Sequence, residues 1–246
     1  MNDLCYLYEW LGKYIKGYYT DDTYIMERVL LKEKHSRAVA ENSVQLADWL
    51  ALTGRQRKVA EVIGLFHDLA RFRQVTEYRT FVDSDSFDHG DVGAALLAET
   101  GIIKDFSEPE QATVDFAIRI HNKMLIPSTT PENELMAKII RDADKLDIFR
   151  ILPPVAANHD YSPKMLEQLK IGGCLSYTDV KTMADKRLIR LSWFYDINFD
   201  WTLRQLVAEG QLNRQLAALP DTAECSEIKA NMQAYIAGRL NKQEDM

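Results

Sequence analysis

Five histidines occur in the 246-residue chain: His35, His67, His89, His121 and His159. Four of them fall where a helical repeat places apolar residues. His35 shares a face with Val39, Asn42, Leu46 and Trp49, at steps of four and three. His67 follows Val59, Ile63 and Phe66. His89 precedes Val92, Gly93 and Leu96, and His121 ends the run Val114, Ala117, Ile118. Asp144 joins them, four residues from both Ile140 and Ile148. In "GLFHDLARFRQ", Gly64 to Gln74, His67 and Asp68 stand side by side after an apolar run, with Arg71 and Arg73 close behind. Such residues enter a core only when paired. One inward histidine is satisfied by a backbone carbonyl, and one aspartate by a cap or an ion pair. Four inward rings would each need a separate partner, whereas a shared divalent metal centre satisfies them together. Imidazole and carboxylate suit iron, manganese, nickel, cobalt or zinc, with the second ring nitrogen oriented by outer groups.

Arg71 lies four residues after His67, on the same helical side. Its guanidinium fork matches a pair of phosphate oxygens; a salt bridge to Asp88 or Asp91 is the structural alternative. Arg73 and Lys145 are weaker candidates of the same kind. The acidic stretch Asp83, Asp85, Asp88, Asp91 reads as solvated surface, with Asp88 able to cap a helix and the group able to supply a partner for His89. His159, in "AANHD", reads as a loop histidine with no role.

The elements that must position these residues are helices. Few segments alternate as half-buried strands do, and only 11 glycines and 7 prolines interrupt the chain. Residues 3–16 and 22–33 read as aromatic-rich helices, followed by the face that starts at His35. Thr53 and Gly54 break before the helix leading to His67. Residues 74–87 lack a helical period and read as a loop. Helices resume at Asp88, over 108–121 and over 131–150, where Pro153 and Pro154 stop the last. Residues 152–163 read as irregular, and further helices are expected near 178–196, 199–217 and 224–240. Trp193, Phe194, Tyr195, Phe199 and Trp201 read as core, with the mouth of a substrate site as the alternative. No repeat, low-complexity segment or linker appears, so the expectation is one all-α domain over 1–246.

Composition narrows the partners. A hydrophobic share of 46% and a charged share of 27% fit a globular protein. The net charge of -7, without a long basic tract, argues against a nucleic-acid polymer or a membrane surface and leaves room for a local pocket for a small anion. Cys5, Cys174 and Cys225 are odd in number and far apart, which disfavours a disulfide framework or a cysteine zinc site. The opening "MNDLCYLYEW" carries acids where a secretory leader has its basic region, and no apolar run approaches about 20 residues. The expectation is a cytoplasmic protein.

His35, then His67-Asp68, then Asp144 in "RDADKLD" resemble, in order and helical context, the H…HD…D pattern of the HD-domain superfamily of all-helical metal-dependent phosphohydrolases. The resemblance covers roughly residues 30–150. It places the last ligand at Asp144 rather than Asp142, which lies about 200° away round the helix. Asp147 becomes an outer partner or a helix-pairing group, with Arg150 or Arg141 as its alternative partners. His89 and His121, between HD and the final Asp, resemble the binuclear subgroup, H…HD…H…H…D. In that subgroup Asp68 would bridge two ions, with His35, His67 and Asp144 on one and His89 and His121 on the other; otherwise His89 or His121 meets substrate phosphate beside a single ion. The resemblance implies hydrolysis of a small phosphate ester or nucleotide, with Asp68 and Arg71 as catalytic groups and one or two divalent ions activating water. "IHNKMLIPS" has a single His and lacks the "HHE" and "GYP" signatures of the cyclic-dinucleotide phosphodiesterases. The elements of the guanosine-tetraphosphate hydrolases are also absent. The same ligands resemble the diiron oxygenase branch, which includes myo-inositol oxygenase, and a nucleotide-sensing domain without turnover is the third possibility.

Overall fold

The computed structural model describes residues 4–155 and 158–241. Regular structure among them is helical throughout, with three short 3-10 turns and no strand. The expected all-α fold is what forms. Contacts group the chain into two compact units, Met1–Asp147 and Ile148–Met246. The boundary falls within the helix Pro131–Ile151. Residue 3 of the expected first helix, and 156 and 157 of the expected irregular stretch, lie outside the described residues.

The first unit holds α1 (Cys5–Lys16), α2 (Thr23–Trp49), α3 (Gly54–Phe66), α4 (Leu69–Tyr78), α5 (His89–Thr100), α6 (Glu108–Ile120) and most of α7 (Pro131–Ile151). The segments expected as separate around residue 34 are one 27-residue helix, capped by Asp22, whose side chain accepts from the Ile25 N–H. Its inner face carries Ile25, Val29, His35, Val39, Asn42 and Leu46. Trp49, expected on that face, is exposed at the helix end. α3 starts with a capping box of Thr53 and Gln56 and packs closely on α2. A Cβ on Gly64 would come within 2.8 Å of both the Ala40 Cα and the Ser43 Oγ. Only glycine permits this approach, and it sets the depth at which α3 delivers the next residues.

The loop expected over 74–87 is a correction. α4 continues to Tyr78 because Gln74 and Val75 are buried with Phe72, the Thr76 hydroxyl donates back to the Phe72 carbonyl, and Arg73 pairs with Glu77 one turn on. The helix ends at Arg79, whose φ of 56° is left-handed. Only after it does the chain become irregular, with a 3-10 turn at Asp83–Asp85. Asp88 caps α5 as expected, accepting from the Gly90 and Asp91 N–H groups.

The second unit contains α8 (Pro163–Ile171), α9 (Met183–Ser192), α10 (Asp200–Ala208), α11 (Gln211–Ala217) and α12 (Ala223–Asn241). α8 escaped the sequence reading, although Pro163 stands in its first turn, a position proline favours. The helix expected over 199–217 is two, broken where Gly210 takes φ 69°. The one expected over 178–196 is shorter, with 3-10 turns at Tyr177–Asp179 and Trp193–Asp196. Phe194 is core, its ring centroid 4.7 Å from that of Phe149. Tyr195 packs instead on Tyr235.

Candidate metal centre

The candidate residues come from different elements and mostly from helix ends. His35 lies midway along α2. His67 and Asp68 occupy the junction of α3 and α4, His67 closing one helix and Asp68 opening the other. His89 is the first residue of α5, and His121 follows the last residue of α6. Asp144 sits on α7, one turn before Asp147. All six come together, and the four histidines and Asp68 are buried. Asp144 keeps 18% of its side chain exposed and marks where solvent reaches the group.

Each ring uses Nδ1 outward and turns Nε2 inward. The His67 Nδ1 lies 2.8 Å from the Gly64 carbonyl and the His121 Nδ1 2.6 Å from the Ile118 carbonyl. The His35 Nδ1 lies 2.6 Å from Asp147 Oδ2, and the His89 Nδ1 2.6 Å from Asp83 Oδ2. Carbonyls and carboxylates accept, so the proton of each neutral ring is on Nδ1 and the Nε2 lone pair is bare. These lone pairs converge. The Nε2 atoms of His89 and His121 face each other at 3.0 Å. Those of His35 and His67 lie 3.4 and 3.3 Å from Asp68 Oδ2 and 3.0 and 3.7 Å from Asp144 Oδ1. The latter two nitrogens are buried without a hydrogen bond. Asp68 Oδ1 points the other way, 3.6 Å from the His89 Nε2. Bare nitrogens and carboxylate oxygens at such distances repel unless a proton or a metal ion lies between them. The donors fit a divalent ion in two overlapping groups, His35, His67 and Asp144, and His67, Asp68 and His121. His67 belongs to both groups, while His89 flanks the second.

The electrostatics differ across the cluster. Burial and the Lys32 ammonium oppose charge on His35, but Asp144, Asp147 and Asp68 outweigh them and raise it to about 10. Burial likewise opposes charge on His67, and Asp68 and Asp144 raise it. On the other side, burial and the neighbouring His89 and His67 lower His121 to about 3, and burial lowers His89. Burial works against ionised Asp68 and Asp144 too. Lys32 and His67 nevertheless hold Asp68 well below the usual carboxylate range, and His35 and His67 do the same for Asp144.

The remaining candidates sort by position. The Arg71 Nη1 donates to Gln74 Oε1, the Phe81 carbonyl and, at 3.0 Å, Asp83 Oδ1, while Nε lies 3.4 Å from Asp68 Oδ1. Its acidic partners are therefore Asp83 and Asp68, not the expected Asp88 or Asp91, which hold Lys123. Asp147 takes the outer role on His35, while Arg150 pairs with Glu209 and Arg141 with the Lys123 and Met124 carbonyls. Arg73 is at the surface with Glu77, and Lys145 is buried with its ammonium 3.4 Å from the Arg141 carbonyl. His159 stacks on Tyr161 in the second unit.

One residue at the cluster escaped the sequence reading and another was expected only as a member of a group. Lys32 places its ammonium 2.5 Å from Asp68 Oδ2, and its signal was its place one turn before His35 on α2. Asp83 was seen only as one of four loop acids. Its carboxylate clamps Arg71 and His89 together, and Asn122 adds a 3.1 Å bond to it.

A family model described as HD domain matches residues 33–148. No curated protein matches the chain. A crystal structure titled as a predicted HD superfamily hydrolase from an uncultured Thermotogales bacterium is similar at a TM-score of 0.41 and 17% identity, over 82% of this chain and 91% of that one. Residues 33–148, the part of the chain that matches the HD-domain model, contain the whole cluster.

Proposed function

We propose that this protein is a metal-dependent phosphohydrolase acting on a small phosphate ester or nucleotide. The HD domain supports the coarser part, a metal-dependent hydrolase. The observation that carries the reading is the inward convergence of four Nε2 atoms on Asp68 and Asp144, each ring held by an acceptor behind it. A bound divalent ion would lower the pKa of a water toward about 7 and offset charge on a phosphoryl group. His35, His67, Asp68 and Asp144 would hold one ion, and His121 and His89, with Asp68 shared, a second. Asp68 suits sharing because its two oxygens face different histidines, Oδ2 towards His35 and His67 and Oδ1 towards His89.

The chain's own residues supply the rest. The outer acceptors lock the rings, so little reorganisation is left for the reaction. Arg71, beside Asp68 Oδ1, is the candidate for the substrate's phosphoryl oxygens. To reach them it releases part of its hold on Gln74, the Phe81 carbonyl and Asp83. Asp144, at the solvent edge, marks the side from which substrate and water enter.

The test is metal analysis joined to a panel of phosphate esters and nucleotides, with oxygen uptake followed in parallel. Phosphate release that depends on manganese, cobalt or nickel is the expected result. Stoichiometric iron with oxygen consumption would assign the site to the oxygenase branch. Tight nucleotide binding without turnover would make it a sensor.

A further inference from the structure

Lys32 has no part in the ligand pattern, yet it makes the shortest ion pair at the bridging carboxylate, 2.5 Å from Asp68 Oδ2. The same oxygen faces the Nε2 atoms of both His35 and His67. Lys32 and His35 are three residues apart on α2, so one helical face brings ammonium and imidazole to one oxygen. The Lys32 side chain is only 14% exposed. Its ammonium lies 5.4 Å from the centroid of the Phe81 ring, and the Arg71 guanidinium lies 5.5 Å from the same centroid. The aromatic ring thus gives the ammonium a second favourable neighbour on the side of Arg71.

We propose that Lys32 is an exchangeable counter-ion: it neutralises Asp68 in the ion-free site, competes with the metal for that carboxylate, and turns to the substrate's anionic group when the metal is bound. Two cations draw on one carboxylate here. An ammonium hydrogen-bonded to an oxygen withdraws the electron density that a metal ligand must donate, and its charge repels an incoming dication. Loading the site therefore releases Lys32 from Asp68. Released, it is held beside Phe81 and Arg71, where a phosphoryl group would meet two cations instead of one. The inference rests on the proposed phosphohydrolase reading and adds a residue to it.

The experiment uses the full chain, wild type and Lys32→Met, which keeps the stem and loses the charge. Affinities for Mn2+ and Co2+ are measured by competition with a chromogenic chelator. The affinity of the loaded protein for inorganic phosphate is measured by calorimetric titration. The expected result is metal binding at least fivefold tighter and phosphate binding at least tenfold weaker in the variant. Metal affinity that is unchanged or weaker overturns the proposal, and so does unchanged phosphate affinity. Lys32→Gln, which keeps a hydrogen-bond donor without the charge, should shift both constants in the same directions and serves if Lys32→Met fails to fold. A wild type that binds neither metal defeats the proposed function itself. A wild type that binds metal and releases phosphate, beside variants with unaltered constants, defeats only the role of Lys32.

Discussion

Histidine 67 is the residue on which both candidate donor groups depend: its Nε2 belongs to each, and its Nδ1 is fixed by the carbonyl of the glycine that lets α3 approach α2. His67→Ala and Asp68→Ala should therefore abolish metal content and activity together while helicity, read by circular dichroism, persists. Full activity in verified metal-free wild type would end the metal hypothesis. Arg71 makes a different prediction. If it holds substrate phosphate, Arg71→Ala keeps its metal and loses about 1.5–3 kcal/mol of charged hydrogen bonding. That corresponds to a fall in kcat/KM of roughly tenfold to more than a hundredfold. Arg71→Lys recovers only part, because an ammonium cannot make a two-pronged contact. The contacts to Asp83, Gln74 and Phe81 supply the competing structural role. A variant that is less stable but equally active per folded molecule would leave Arg71 with that role alone, so melting and kinetics belong on the same preparations.

Helices set the distances that these side chains need, and Gly64 is where that is most constrained. Gly64→Ala puts a methyl 2.8 Å from the Ala40 backbone and Ser43, so α2 and α3 must separate. Overpacking of this kind costs roughly 1–3 kcal/mol. The separation would also move His35 relative to His67. Denaturant midpoint and metal affinity should both fall; a drop in stability with unaltered metal affinity would show that the approach of α2 to α3 does not set the site. In the second unit the buried Asp185 ties α9 to the start of α8, accepting from the Ser162 N–H and hydroxyl and from the Lys181 and Thr182 N–H groups. Burial opposes its charge, but these bonds lower its pKa in the folded protein. Its stabilisation is thus present above the unfolded value of about 3.9 and is lost as pH falls through the folded one. Asp185→Asn should be roughly 1–3 kcal/mol less stable near pH 7, and the gap should close below about pH 4; a gap constant down to pH 3 would contradict this. The helices were legible in the sequence wherever a long apolar period ran unbroken, as in α3 and α7. α8 was missed, and the end of α4, residues 74–78, was read as loop because it derives its continuation from buried Gln74 and a local Arg73–Glu77 pair that periodicity does not register. Of the site, the six inward residues could be found by their helical spacing. A partner for His89 was expected from the loop acids, but which of the four it is becomes clear only once the chain beyond α4 folds back and brings Asp83 to the ring.

Metal and fold are coupled at the level of the whole molecule because the cluster joins distant parts of the sequence. His35 and Asp147 are hydrogen-bonded across 112 positions, and α2, the α3–α4 junction, α5, the end of α6 and α7 all meet at the same lone pairs. Without a metal ion, four imidazoles and two carboxylates remain crowded in a poor dielectric, relieved by Lys32, by Arg71 and by protons on His35 and His67. Binding that favours the folded state stabilises by about 4 kcal/mol when the ion is at a thousand times its Kd. For a chain of this size that is on the order of 10 °C in Tm. Chelation should remove it. The loss should also be local, since every member of the cluster lies in the unit ending at Asp147. Hydrogen exchange after chelation should therefore quicken around His35, His67, His89, His121 and Asp144, while α9, α10 and α12 keep their protection. An unchanged melting curve after verified metal removal would mean that the site carries no folding energy. Equal loss of protection in both units would mean that the ion supports the whole chain rather than the helices that hold it.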